Sequence, residues 1–254
     1  MSNISELIWL VPLLPLIGFL ITGLGRNVLP KGVAGIIACG TILGSFALSV
    51  AAFLMVKNGE PFMVKYFEFI RAAGLNVGME FQIDQLSSLF LLIITGVGFL
   101  IHVYSTSYMH DESPKDFAKY FSYLNLFVFS MLLLVMGGNF VIMFIGWEGV
   151  GLCSYLLIGY WFKKPEYTAA ANKAFIMNRI GDLGFLLAIF WIISKTGTTN
   201  FLEVFSAESV KELTQTDITG ITLLLLLGAA GKSAQIPLYT WLPDAMAGPT
   251  PVSA

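Results

Sequence analysis

Apolar residues run through this chain in blocks of membrane-crossing length, separated by brief polar punctuation. A hydrocarbon core of about 30 Å takes roughly 20 helical residues, and segments of that length lie at 7–24, 32–56, 85–109, 118–136, 140–162, 167–194 and 218–241. The pattern therefore predicts about seven spanning helices in an all-α polytopic membrane protein. The links GRNVLPKG, GGN and FKKPE leave no room for large extramembrane domains, so the helices are expected to form one bundle. Two connections are longer. KNGEPFMVKYFEFIRAAGLNVGMEFQID alternates apolar and polar residues around AAGLN, which predicts a small β-hairpin outside the bilayer. TGTTNFLEVFSAESVKELTQTD resembles a short amphipathic helix at the interface.

The start, MSNISELIWLVPLLPLIGFLITGLG, lacks the basic leader of a secretory signal and precedes many equally apolar blocks; it is read as the first spanning helix. Taking the links alternately, Arg26, Lys31, Lys115, Lys119, Lys163 and Lys164 fall on one side in short loops. Lys57, Lys65, Arg71, Lys195 and Lys211 fall on the other, in the two long connections. Short loops near helix ends weigh most in orientation, which places the first set in the cytoplasm and the N-terminus outside. Of the 14 basic residues, only Lys173, Arg179 and Lys232 lie within expected spans.

Composition supports the membrane class. Apolar residues make up 56% of the 254 and charged residues 12%, about half the charged share of a soluble domain. With a net charge of −2 and no basic stripe, the chain excludes a nucleic-acid footprint. Cys39 and Cys153 both sit in apolar blocks, too isolated for a zinc site or disulfide framework. His102 and His110 are eight residues apart on the third helix or at its end, about 12 Å at 1.5 Å per residue, so they cannot clasp one haem iron; His102 reads as a polar bundle contact. Gly40 and Gly44 share a helix face of the small-residue packing type.

Candidate chemistry lies in the charges left inside the apolar blocks. FIGWEGVGLCSYLLIGYW, 144–161, has one side chain that is charged at neutral pH, Glu148. An isolated charge at that depth costs about 2.5 to 3.5 kcal/mol on insertion scales, which marks it as a functional candidate. Asp182 and Lys232 also lie about halfway along their segments. Arg179 and Asp182, three apart on one helix face, suit a structural lock and a functional pair equally well. Glycines around Glu148 and Lys232 (GWEGVG, GAAGK) leave room for close helix approach or water, and opposite charges stabilise each other's ionised forms. Glu148 and Lys232 are therefore expected to face each other near mid-membrane, in direct or water-bridged reach. Pro237, five residues after Lys232, cannot donate to the Ser233 carbonyl and is expected to kink or break the helix, as in the discontinuous helices of ion sites. GAAGKS ends like a phosphate-binding loop, but Leu226 stands where the first glycine belongs. A nucleotide site is excluded on that spacing.

FSYLNLFVFSMLLLVMGGNFVIMFIGWEGVGLCSYLLIGYWF and GKSAQIPLYTWLPDAMAGPTPVSA resemble the large antiporter-like subunits of proton-pumping NADH:quinone oxidoreductase, respiratory complex I. The tract after the glutamate favours the chain L (subunit 5) branch, with the large subunit of multisubunit Na+/H+ antiporters as the alternative. The resemblance implies an inverted-repeat helical bundle that translocates protons: helices over 1–60, the chain 5 N-terminal region over 61–136, and a translocating domain over 137–254. It implies that Glu148, Lys232, Asp182 and Arg179 carry the proton path. It further implies that NAD, FMN, iron–sulfur clusters and quinone belong to partner subunits, with no redox or nucleotide site here, so the chain is part of an enzyme complex rather than an enzyme alone. Membrane-arm subunits, lipid, protons and water are the implied partners, and a bacterial inner membrane the implied location in preference to the mitochondrial one. Members of the family usually continue for several hundred residues more, so the chain is expected to be an N-terminal fragment ending where an eighth helix begins.

Overall fold

A computed structural model of the chain describes residues 2–57, 59–72 and 74–253. In chain order the elements are α1 (Ser2–Leu7), α2 (Leu10–Leu24), α3 (Lys31–Val56), β1 (Phe62–Ala72), β2 (Leu75–Ile83), α4 (Gln85–Tyr108) and α5 (Pro114–Met136). Then come α6 (Phe140–Ile158), α7 (Pro165–Thr196), α8 (Phe201–Val204), α9 (Ala207–Glu212), α10 (Gln215–Lys232), α11 (Leu242–Ala245) and α12 (Thr250–Ser253).

Local chemistry sets the boundaries. Pro12 cannot donate to the Ile8 carbonyl, which accepts from Val11 N–H instead, and this turn parts α1 from α2. Asp84 caps α4 in a reciprocal box with Ser87. Ser113 caps α5, which starts at Pro114, a position where the missing N–H has no helical partner anyway. The Asn139 side chain accepts from the backbone N–H groups of Val141 and Ile142 and so opens α6. Gly197, at φ 69°, closes α7.

Six helices are long and apolar enough to cross a membrane: Ser5–Leu24, Lys31–Val56, Gln85–Tyr108, Pro114–Met136, Phe140–Ile158 and Pro165–Thr196. The seventh expected span, 218–241, is the shorter α10, which stops at Lys232. Helix α5 is the pillar of the bundle, since 56% of its apolar window is buried against 28% in α3 and in α4, and it packs on α2, α3, α4 and α6. Leu54, Leu100, Leu183 and Phe190 point outward, an apolar belt suited to lipid.

The hairpin forms as the alternation predicts: β1 and β2 pair antiparallel from Phe62↔Ile83 to Ala72↔Leu75, with irregularities after Lys65 and Glu68. Residue 73 of the expected turn lies outside the described residues; Gly74 beside it has φ 87°. On this face Glu80 of β2, 6% exposed, accepts at 2.9 Å from both Asn139 and Asn200. Gly138 N–H donates to the Glu80 carbonyl. FKKPE lies at the opposite end of the helices, where Tyr160 donates to the Asp116 carbonyl and Trp161 to the Glu112 carboxylate.

Two of the local expectations shift and one holds. The amphipathic segment after α7 is two short helices, because Asn200 and Ser206 each cap a new start and side-chain caps favour beginnings over continuation. Gly40 meets nothing within 4 Å of where a Cβ would sit, so the 40/44 face is not a tight crossing on that side. His102 is a fully buried bundle contact, as expected: its Nδ1 lies 2.7 Å from the Gly98 carbonyl, and its Nε2 lies 3.5 Å from Asn125 Nδ2.

Candidate proton-relay site

The buried charges converge where α6, α7 and α10 meet. Glu148 is the ninth residue of the 19-residue α6, and Asp182 is the eighteenth of the 32 in α7. Both therefore sit at mid-span. Lys232 reaches the same depth because α10 ends there. Helices α7 and α10 cross backbone to backbone: a Cβ on Gly181 would come 3.1 Å from the Gly231 Cα and 3.1 Å from the Leu227 carbonyl oxygen. Any larger residue at 181 would push the helices apart and carry Lys232 away from Asp182.

The charges form a row of alternating sign. Glu148 pairs with the Arg179 guanidinium. Arg179 lies 3.9 Å from Asp182 Oδ2 and over the ring of Phe175. Asp182 Oδ1 accepts a 2.6 Å hydrogen bond from Trp147 Nε1 and stands 3.9 Å from the Lys232 ammonium. That ammonium lies over the Trp147 ring, 5.7 Å from its centroid, within cation–π range. It also occupies the space above Gly151, where a Cβ would come within 2.6 Å of Nζ.

The direct Glu148–Lys232 pair is not formed: among the described residues no ion pair within 4.0 Å joins them. Arg179 takes Glu148, and Asp182 takes Lys232. The tight α7–α10 crossing brings the α7 carboxylate closest to the lysine, while the long Arg179 side chain spans from α7 to α6. The four candidates thus share one site, with the partners exchanged.

Of the expected kink or break near Pro237 the structure shows a break, and it shortens the span expected to run to 241. Helix α10 ends at Lys232, Ser233 caps it, and Ala234 adopts φ 49°. Pro237 disfavours helical backbone at the residue before it and cannot donate itself, so the chain leaves the helix a turn early. At the break the Gly231 carbonyl accepts from Trp241 Nε1 at 3.0 Å, and the Ala230 carbonyl accepts from Gln235 N–H at 2.9 Å. Ending α10 at a lysine puts the ammonium at the negative end of the helix dipole. Beyond the break, Lys173 of α7 pairs with Asp244 of α11 at 2.7 Å, a contact that the sequence did not disclose. Trp147 and Gly151 were also missed as site residues; their spacing around Glu148 was the available signal. Among the described residues no group of three or more His, Cys, Asp or Glu could hold a metal ion.

A row of four buried charges where α6, α7 and α10 meet fits one class, the antiporter-like membrane subunits. Residues 137–254 match the family described as NADH:quinone oxidoreductase/Mrp antiporter, transmembrane, and residues 69–121 match NADH-ubiquinone oxidoreductase (complex I), chain 5 N-terminus. The chain belongs to this family. It is 46% identical over 97% of its length to NADH-quinone oxidoreductase subunit L of Mycobacterium tuberculosis and 42% identical over 95% to subunit L of Escherichia coli. It spans 39% and 40% of those two relatives, about two fifths of their length. A structure of the Mrp complex from Dietzia sp. DQ12-45-1b superposes with TM-score 0.80 at 27% identity, covering 99% of this chain and 26% of that one. An archaeal membrane-bound sulfane sulfur reductase shares the fold, with TM-score 0.82 at 22% identity over 98% of this chain and 49% of that one.

Proposed function

We propose that this chain is the proton-translocating part of a subunit L–type membrane protein, in which quinone reduction by NADH in partner subunits drives proton movement through Glu148, Arg179, Asp182 and Lys232. The observation that carries the reading is the alternating charge row at mid-span. With Glu148 ionised, Arg179 is held toward α6, and Asp182 is left to attract Lys232. A proton arriving on Glu148 frees Arg179 to turn to Asp182 and stabilise its ionised carboxylate, so a proton that Asp182 has drawn from Lys232 is passed on. Removing the proton from Glu148 reverses the sequence. This is a local charge change acting on a two-state element. Membrane-arm subunits are the partners, and their NAD, FMN, iron–sulfur clusters and quinone supply the redox chemistry. A bacterial inner membrane with FKKPE in the cytoplasm completes the reading, and residues 137–254 form the translocating domain.

In the assembled complex, Glu148→Gln and Lys232→Ala should each slow NADH-driven proton pumping by about a hundredfold, the low end for losing a proton-transfer group, while electron transfer to artificial acceptors persists. Parental pumping in both variants would reject the reading. Pumping that needs sodium would move the chain to the Na+/H+ antiporter alternative, which the Mrp likeness keeps in view.

A further inference from the structure

Five buried side-chain polar atoms have no hydrogen-bond partner among the described residues, and three of them flank the α7–α10 crossing: Asn178 Oδ1, Asp182 Oδ2 and Lys232 Nζ. Asn178, 6% exposed, lies one turn from Asp182 on the same α7 face. Gly181 between them touches Gly231, whose own Cβ position would fall 3.6 Å from the Asn178 carbonyl oxygen. The amide orientation is fixed, because Nδ2 donates to the Ala174 carbonyl at 2.7 Å and only a nitrogen can do so. Its oxygen is the atom left over.

The inventory of the three atoms is specific. An ammonium only donates, and a carboxylate oxygen and an amide oxygen only accept. The Lys232–Asp182 separation of 3.9 Å is too long for a direct hydrogen bond. A molecule with two hydrogens to give and a lone pair to receive completes all three, and water has that valence with the two to four polar partners a buried water needs. We propose that Asn178 is a positioning residue for proton transfer: it holds a water that donates to Asn178 Oδ1 and Asp182 Oδ2 and accepts from Lys232. The transfer is balanced. An N–H bond of the ammonium breaks as an O–H bond forms on the water. The water's bond to the hydrogen facing Asp182 breaks as that oxygen gains it, leaving neutral amine, neutral acid and water. Asn178 takes no proton; it keeps the water's other hydrogen from swinging the molecule out of line.

This inference rests on the proposed proton path, and two measurements separate their fates. In the assembled complex, Asn178→Leu, close in size but without an acceptor, should lower protons pumped per NADH by about fivefold, the scale of one lost hydrogen bond, and raise the solvent isotope effect on coupled turnover. Asn178→Ser, which restores an acceptor, should recover most of the ratio. A cryo-EM map of the parent complex that resolves waters should show one touching all three atoms. Parental stoichiometry in Asn178→Leu, or a map with Asn178 Oδ1 satisfied by protein alone, overturns the proposal. If Asn178→Leu fails to assemble, the serine variant and the parent map decide. Parental pumping in Lys232→Ala would instead sink the proton path, with the map still testing the water.

Discussion

Trp147 touches two charges at once: its N–H donates to Asp182 and its ring lies under Lys232. Trp147→Phe keeps an aromatic face but removes the donor, leaving a buried carboxylate short of a hydrogen bond. We expect a loss of about 1 to 3 kcal/mol, read as a lower thermal-inactivation midpoint of the assembled complex; an unchanged midpoint would show that the indole N–H is dispensable. The four charges were legible in the sequence because ionisable groups stand out in apolar blocks. Neutral residues send a weaker signal: Trp147 and Gly151 are marked in the sequence only by their spacing around Glu148, and Asn178 became visible only through what it touches. The order of pairing was not legible either. It depends on helix rotation about the Gly181–Gly231 contact, a packing outcome that energetic reasoning about Glu148 and Lys232 alone cannot supply.

At the level of elements, the Glu80 carboxylate fastens β2 to the start of α6 and to the connection after α7 through Asn139 and Asn200, the helices that hold Glu148, Arg179 and Asp182. Glu80→Ala would remove an acceptor from buried Asn139, which keeps its bond to the Gly78 carbonyl, and from half-buried Asn200, and we expect it to destabilise this face by about 1 to 3 kcal/mol. Limited proteolysis in the β1–β2 hairpin should accelerate accordingly, and Glu80→Gln, which keeps an acceptor oxygen, should recover part of the protection. Equal cleavage of the alanine variant and the parent would mean that the hairpin is held elsewhere. The six long spans and the hairpin were readable because a run of about 20 apolar residues and an alternating run each have one stable form at a membrane. Where the chain leaves that regime, prediction was coarser. The segment after α7 reads as one amphipathic stretch until Ser206 divides it, and α10 reads as continuing to 241 until the constraint before Pro237 ends it at Lys232.

For the whole molecule, the bundle puts GGN and the hairpin at one end and FKKPE at the other, with the charge row midway between. That row has a consequence for how the protein tolerates change. Glu148 and Asp182 carry two negative charges, Arg179 and Lys232 two positive, so the middle of the membrane holds polar machinery at electroneutrality. Every single neutralisation breaks that balance: Glu148→Gln leaves a surplus cation, Lys232→Ala a surplus anion, each costing about 3 kcal/mol at bilayer depth less what partial hydration of the site returns. The double variant Glu148→Gln with Lys232→Ala is balanced again. It should therefore accumulate as assembled complex, measured on native gels, to a higher level than either single variant, and yet it should pump no better than they do. A double variant that assembles worse than both would mean that each charge is held by its own surroundings rather than by the sum. The expected result would separate what lets this bundle exist in a membrane, a zero total, from what the proposed proton path requires, the particular groups that make up that zero.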